Sequence, residues 1–339
     1  MNTNSSEEWR TAEIETLLNE RISDENTSKR LAKLLFRGSE SALEFDDDDP
    51  SFQDWFDNRL KCQFVWLERD DYSRALVRAL WLAPVFAGTD FGSSRQRDMG
   101  QVWTDTARGF LGEIALSKFF AENFQIQTRL DYHRGDIEKF LPMDISQIKR
   151  PYGDWTAPSL KISVKATKFN GRWLDVPGVQ VDHSDVFVLS KLGVERHHFL
   201  AFLKAISFLR DKLFPNAKKL GELNNENAQE LWDEIPEFDP IPAYISGFVN
   251  KANINFPIHM INARIKGRKY IRLVVSQGVG LFTPDNIRSN PEILRMDPSG
   301  SLPIDIEPII KSYTGTKFLA HSGGLEWGKD QWRDLVNQL

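Results

Sequence analysis

The chain reads as an α/β (α+β) protein built around a mixed β-sheet flanked by helices, and three stretches carry that expectation. Lys161–Thr167 alternates, with Ile162, Val164 and Ala166 on one face and Ser163, Lys165 and Thr167 on the other, the period of a strand with one buried side. Asp185 is followed by the apolar run Val186 to Leu189, the pattern of a strand covered on both faces. Upstream, Ala107 to Phe120 places Phe110, Leu111, Ile114, Ala115 and Phe119 on one helical stripe, with Asp105 and Thr106 as its expected caps. Helix, strands, helix and strand in that order point to helices packed on a mixed sheet.

Residues 1–100 read as a mostly helical region. Apolar residues recur at helical spacing over Glu7 to Leu18 and Thr27 to Phe36, and Tyr72 to Phe86 is a longer apolar-rich run. Gly88 to Gly100 is broken by Gly, Ser and charge and marks a boundary, with Arg95, Gln96 and Arg97 inside it. A central region over 101–280 follows, with short strands expected around Gln125 to Leu130 and Asp136 to Phe140. Asn170-Gly171 predicts a hairpin turn, and Pro177-Gly178 a second turn. His197 to Leu213 reads as a helix, and a polar, partly helical insertion lies near 203–242. Tyr244 to Val249 and Tyr270 to Val275 read as further strands. Residues 281–339 form an extension ending in a helix over Asp330 to Leu339, after the glycine turn Ser322-Gly323-Gly324.

Composition excludes several classes. With 41% hydrophobic and 27% charged residues, the chain has the make-up of a soluble globular protein rather than a disordered one. A single cysteine, Cys62, rules out an intramolecular disulfide and a cysteine zinc site, and the adjacent His197 and His198 lack partners at ligand spacing. The polar N-terminus lacks a signal peptide's apolar core, and no apolar run is long enough for a membrane span. An intracellular, cytoplasmic setting is the expectation. A net charge of −5 argues against coating nucleic acid non-specifically. Charge is unevenly placed, however. Glu44 to Pro50 is acidic, whereas Asn250 to Gln277 carries Lys251, Arg264, Lys266, Arg268, Lys269 and Arg272 with no acid. Lys149 to Arg172 is also basic, with Asp154 as its sole acid. Two basic segments on an acidic chain suit a cationic face turned to a phosphate backbone.

Hydrolysing a phosphodiester requires an activated water and stabilisation of charge on the transferred phosphorus. Carboxylate-bound Mg2+ and a lysine supply both. The corresponding pattern is a helix glutamate, an acid, and a strand ending in a lysine. Glu113 lies in GEIALSKFF, Asp136 in GDI at an expected strand start, and Lys165 in ISVK. Asp144, in PMDI, is a competing acid nearer to Lys165, also readable as the cap of a helix over ISQI.

In this order, with the buried strand SDVFVLS behind them, these motifs resemble the PD-(D/E)XK superfamily, the restriction-endonuclease-like nucleases, over about Trp103 to Asn250. The resemblance implies a Mg2+-dependent DNA endonuclease, in particular a sequence-specific restriction enzyme acting as a homodimer on double-stranded DNA. It implies Asp136 and Glu113 as metal ligands with the Val164 carbonyl, Asp144 as a further ligand, Lys165 positioning the water, and Ser163 supporting that network. Lys168, Arg172, Trp173, Arg268 and Lys269 would contact nucleic acid. The departure is Ser163 in the acid position, since a neutral hydroxyl is a poor ligand for a hard cation. Glu113, then Asp175, Asp182 or Asp185, would replace the missing charge. Alternatives are a nucleic-acid-binding protein on a decayed nuclease fold, and a nuclease acting on RNA or structured DNA.

Overall fold

A computed structural model describes residues 3–38, 51–87, 98–131, 143–181, 183–253, 260–265, 271–274, 281–282, 291–301, 304–307, 310–313 and 317–339. The first half contains helices α1 (Thr3–Asn19), α2 (Glu25–Gly38) and α3 (Ser51–Asp54, continued by a wider turn over Trp55–Leu60), strand β1 (Phe64–Leu67), α4 (Arg69–Ala87) and α5 (Met99–Phe124). Then come β2 (Gln127–Leu130), β3 (Ile145–Lys149), β4 (Trp155–Thr156), β5 (Ile162–Lys168), β6 (Trp173–Pro177), α6 (Gly178–Val181), β7 (Val186–Leu192) and α7 (His198–Ala205). After α8 (Phe214–Lys219), α9 (Asn225–Glu234) and β8 (Ile241–Asn250) lie β9 (Met260–Ile265), β10 (Ile271–Val274), β11 (Leu281–Phe282), α10 (Pro291–Met296), β12 (Ile304–Glu307), β13 (Ile310–Tyr313), β14 (Lys317–His321) and α11 (Lys329–Asn337).

The chain is a mixed α/β protein. Its central sheet has the order β1-β8-β7-β5, with β5 and β7 parallel and the other pairs antiparallel. Strands on both sides and packing on both faces bury every residue of β7, as its unbroken apolar run implies. Smaller sheets have the orders β2-β3-β4, β11-β14-β6 and β10-β9-β12-β13.

One apolar cluster joins α4, α5, β1, β5, β7, β8 and α11, so residues on both sides of the boundary expected near 100 share a core. Phe64–Leu67 enters this sheet as the partner of β8, a strand that four residues of sequence are too few to reveal. Trp332 of α11 is fully buried against Phe119, Phe120 and Phe248, and its indole N–H donates to Gln63 Oε1 at 2.8 Å. A second cluster packs α1, α2 and α3 around Phe169 and Tyr244. Among the described residues no helix is long and apolar enough to cross a membrane.

Several expectations need correction. α5 begins earlier than Asp105, because Asp98 caps it by accepting from the Gln101 amide at 2.9 Å, and Asp105 instead meets Arg108 on the helix surface. The ISQI segment is a strand, β3, paired with β2, rather than a helix. The helix expected over His197 to Leu213 breaks after Ala205, where Ser207 takes a left-handed conformation at φ 59°. The Asn170-Gly171 turn forms, with the Gly171 amide on the Lys168 carbonyl at 2.8 Å, yet β6 pairs with β14. Burial of Phe169 in the second cluster draws the chain out of the β5 sheet at this point. The strand expected over Asp136 to Phe140 lies outside the described residues.

Candidate active site

The site forms where α5 crosses β5. Gly112 makes the crossing close: a Cβ there would lie 2.8 Å from the Ala166 Cβ and 3.5 Å from that of Ser190. The next residue on the helix is Glu113, only 9% exposed, so this carboxylate is not a solvated surface group. Its Oε2 has no hydrogen-bond partner and faces the Arg78 guanidinium of α4 at 3.9 Å. Arg78 also lies over the Phe110 ring at 4.3 Å.

Asp144 is the second carboxylate, placed immediately before β3. Its amide donates to the Ile162 carbonyl at 2.9 Å, and its Oδ2 accepts from the Val164 amide at 2.6 Å. Backbone and side chain together fix it alongside β5. Its carbonyl accepts from the Asp131 amide, tying in the end of β2. Asp144 thus belongs to this site and does not cap a helix. Lys165 stands next on β5, its amine donating to Gln180 Oε1 of α6 at 2.6 Å. Asp144 and Lys165 keep a partly accessible surface.

The charges are mutually coupled. Burial raises the Glu113 carboxyl well above the usual carboxylate range, the Asp144 charge raises it further, and Arg78 and Lys165 oppose both. Burial also raises Asp144, against Lys165, the Val164 amide and Arg78. The Lys165 amine is lowered by burial, while Asp144, Glu113 and Asp175 favour its charged form. Two carboxylates that resist ionisation unless a cation faces them, one with an orphaned oxygen, form a hard-oxygen donor set of the kind Mg2+ takes. Among the described residues no three His, Cys, Asp or Glu side chains group as a metal cage.

Of the residues expected from the sequence, Glu113, Asp144, Val164 and Lys165 come together. Ser163 is buried on β5, two residues before Lys165. Val164 engages Asp144 through its amide. Asp175 acts on Lys165 through its charge, whereas Asp185 closes the loop before β7, its Oδ2 accepting from the Lys161 amide at 2.9 Å. Asp136, Asp182, Arg268 and Lys269 lie outside the described residues. Lys168 is exposed at the end of β5.

Two of the residues expected to contact nucleic acid make contacts within the fold. Trp173 is buried edge-on against His321, their ring centres 5.1 Å apart, by the pairing of β6 with β14. The Arg172 Nε donates to the Arg37 carbonyl at 2.8 Å at the end of α2, and burial lowers its pKa. His198 is likewise structural: its Nδ1 accepts from the Glu195 amide at 2.7 Å, and burial pushes its pKa down to about 3.

Sequence reasoning missed Arg78 and Gln180. Nothing local marks Arg78, whose partner lies on the next helix, but Gln180 follows the Pro177-Gly178 turn at a place where the chain returns towards β5. Replacing Gly112 with alanine is expected to push α5 off β5 and destabilise the fold by about 2 kcal/mol, the scale of an overpacked contact. Adding Ala166→Gly should restore part of that loss, as measured by the denaturant midpoints of the single and double variants.

No protein-family model, curated protein or solved structure matches the chain.

Proposed function

We propose that the protein is a Mg2+-dependent endonuclease of the restriction-endonuclease-like fold, hydrolysing phosphodiester bonds in double-stranded DNA. The observation that carries this reading is the convergence of Glu113, Asp144 and Lys165, from a helix, a strand entrance and a strand, into one coupled charge cluster. In this reading Glu113 and Asp144 would hold the Mg2+, with Asp136 as a further carboxylate. The bound ion would supply a more acidic water and stabilise charge at phosphorus. Lys165, whose lowered pKa favours its neutral form more than a surface lysine's does, orients and deprotonates the attacking water. Gln180 holds its amine in place, and Arg78 favours the ionised form of both carboxylates. Cutting both strands would call for a symmetric homodimer, and the place of action would be the cytoplasm.

Incubating the purified protein with unmethylated and methylated DNA, with and without Mg2+, tests the reading. Discrete bands would identify a sequence-specific restriction enzyme, and a smear a non-specific nuclease. Lys165→Ala is expected to lower the Mg2+-dependent rate by about 100- to 10,000-fold, the range for losing a proton-transfer group. Undiminished cleavage would refute its role. Ser163 in the acid position favours a second reading, a binding protein on this fold without cleavage. That reading predicts salt-sensitive DNA binding and intact DNA and RNA under every condition.

A further inference from the structure

The three-stranded sheet β2-β3-β4 has one packed face and one open face. Ile148 belongs to the core and Thr128 bonds Ser117 of α5 at 2.5 Å, so the face that carries them is covered. The register sets Gln127, Lys149 and Trp155 side by side on the other face, with Arg129 opposite Gln147 in the next row. Two cations, an indole and two amides thus share a surface with no acid among them, on a chain of net charge −5. Arg129 is held in place there. Its guanidinium lies 4.1 Å from the centre of the Trp155 ring, and its Nη1 donates to Gln147 Oε1 at 2.8 Å. Among the described residues neither Arg129 nor Lys149 pairs with a carboxylate.

The turn from β3 to β4 adds a second observation. The Gly153 amide donates to the Arg150 carbonyl at 3.0 Å, which makes Pro151 and Tyr152 the central residues. Tyr152 takes φ 61°, the place in a type II turn that glycine or asparagine fills, although a glycine stands next to it. Its side chain is fully exposed, so no packing offsets the strained backbone, and such strain is kept where it serves a contact. Arg150 anchors the turn by donating to the Val336 carbonyl at 3.0 Å, and Asp154 is the turn's one acid.

We propose that the open face of β2-β3-β4 is the surface on which the substrate duplex lies, with phosphates on Arg129 and Lys149 and the Tyr152 hydroxyl donating to a phosphate beyond them. Guanidinium, ammonium and phenol all donate to phosphate oxygens, and no carboxylate competes for the two cations. The same two strands run from the candidate active site. Asp144 directly precedes β3, and its carbonyl accepts from the Asp131 amide at the end of β2. Lys149 is five residues beyond Asp144, about 17 Å of strand, a length that spans about five base pairs of duplex. The proposal rests on the nuclease reading for what is cut, and it names the surface that carries the DNA flanking the cut.

The test is fluorescence anisotropy in EDTA with a short fluorescein-labelled duplex, titrated at several salt concentrations. The double variant Arg129→Gln/Lys149→Gln is expected to lower the slope of log affinity against log salt by about two, one for each phosphate contact. Tyr152→Asn should weaken binding about tenfold, the scale of one lost hydrogen bond to a charged group. Its thermal midpoint should equal or exceed that of the wild type, because asparagine tolerates the left-handed position, whereas a packing role would lower it. Lys29→Gln, at an exposed lysine of α2, is the control and should change neither slope nor affinity.

A wild-type slope and affinity in the double variant would overturn the proposal, as would a wild-type protein that binds no duplex. So would a polyglutamate probe bound as tightly as the duplex, which would assign the face to an acidic protein partner. Mg2+-dependent cleavage with affinity indifferent to Arg129 and Lys149 would sink the DNA surface alone. Affinity that depends on them without cleavage under any condition would sink the nuclease reading alone.

Discussion

Asp144→Asn is expected to lower Mg2+-dependent DNA cleavage about a thousandfold, equivalent to about 4 kcal/mol of lost transition-state stabilisation. It should also make the folded protein more stable at pH 8. The two effects share one cause. The amide keeps an oxygen to accept the Val164 N–H, so the anchorage to β5 survives, but the charge that would hold a cation is gone. Burial raises the Asp144 pKa above its ordinary value of 3.8, so the folded state holds this proton more tightly than the unfolded state does. Stability from this group therefore falls as pH rises from about 3.8 through the raised value, and the penalty is complete above it. Asparagine removes that penalty. The stability gain should be present at pH 8 and vanish below pH 3.8. Thermal midpoints measured across pH for both proteins check this, and a variant no more stable than the wild type at pH 8 would contradict the assignment. For the wild type, cleavage should rise with pH along a limb displaced above the ordinary carboxylate range, because Glu113 must lose its proton as well.

Gly38→Ala is expected to give the largest loss of stability, about 3 kcal/mol. Gly38 ends α2 against the turn after β5, and a Cβ there would lie 2.0 Å from the Phe169 carbonyl oxygen and 2.6 Å from the Asn170 Cα. These are backbone atoms, which cannot swing aside as the end of a side chain can, so helix and turn must separate. The Gly38 carbonyl accepts from the buried Lys191 amine at 2.5 Å, and the neighbouring Arg37 carbonyl accepts from Arg172. Two cations at the C-terminus of α2 complement its dipole, and both contacts would be disturbed by the same movement. Gly109→Ala is the control: nothing lies within 4 Å of its Cβ position on the exposed side of α5, and it should stabilise by about 0.5–1 kcal/mol. Denaturant midpoints of the two variants should move in opposite directions, without a change in slope.

How much was legible in the sequence follows from the range of the interactions involved. β5 and β7 announce themselves because a strand's burial is written into its own alternation or apolar run. Glu113 was visible through the helical stripe around it, and Lys165 through the alternation of its strand. Asp144 was harder to assign. An acid before Ile145-Ser146-Gln147-Ile148 looks like a helix cap until β2 pairs with that segment, and this pairing is a tertiary event. Asn170-Gly171 carries a hairpin signal that the turn obeys and the sheet does not, because β14, from the far end of the chain, captures β6. Trp173 and Arg172 read as site-edge groups for the same reason: nothing near them in sequence foretells His321 or the end of α2. Arg78 is the extreme case, a residue whose role exists only once two helices are packed together.

Trp332 has a consequence for how the protein is made. Phe119 and Phe120 leave the ribosome long before the indole that covers them, and at about 5–20 residues per second the interval is roughly 10 to 40 s. Over that time the aromatic end of α5 lacks its cover. The nascent chain meanwhile keeps these rings uncovered, and its yield during rapid expression should depend more on growth temperature and chaperone supply than the stability of the finished molecule would suggest.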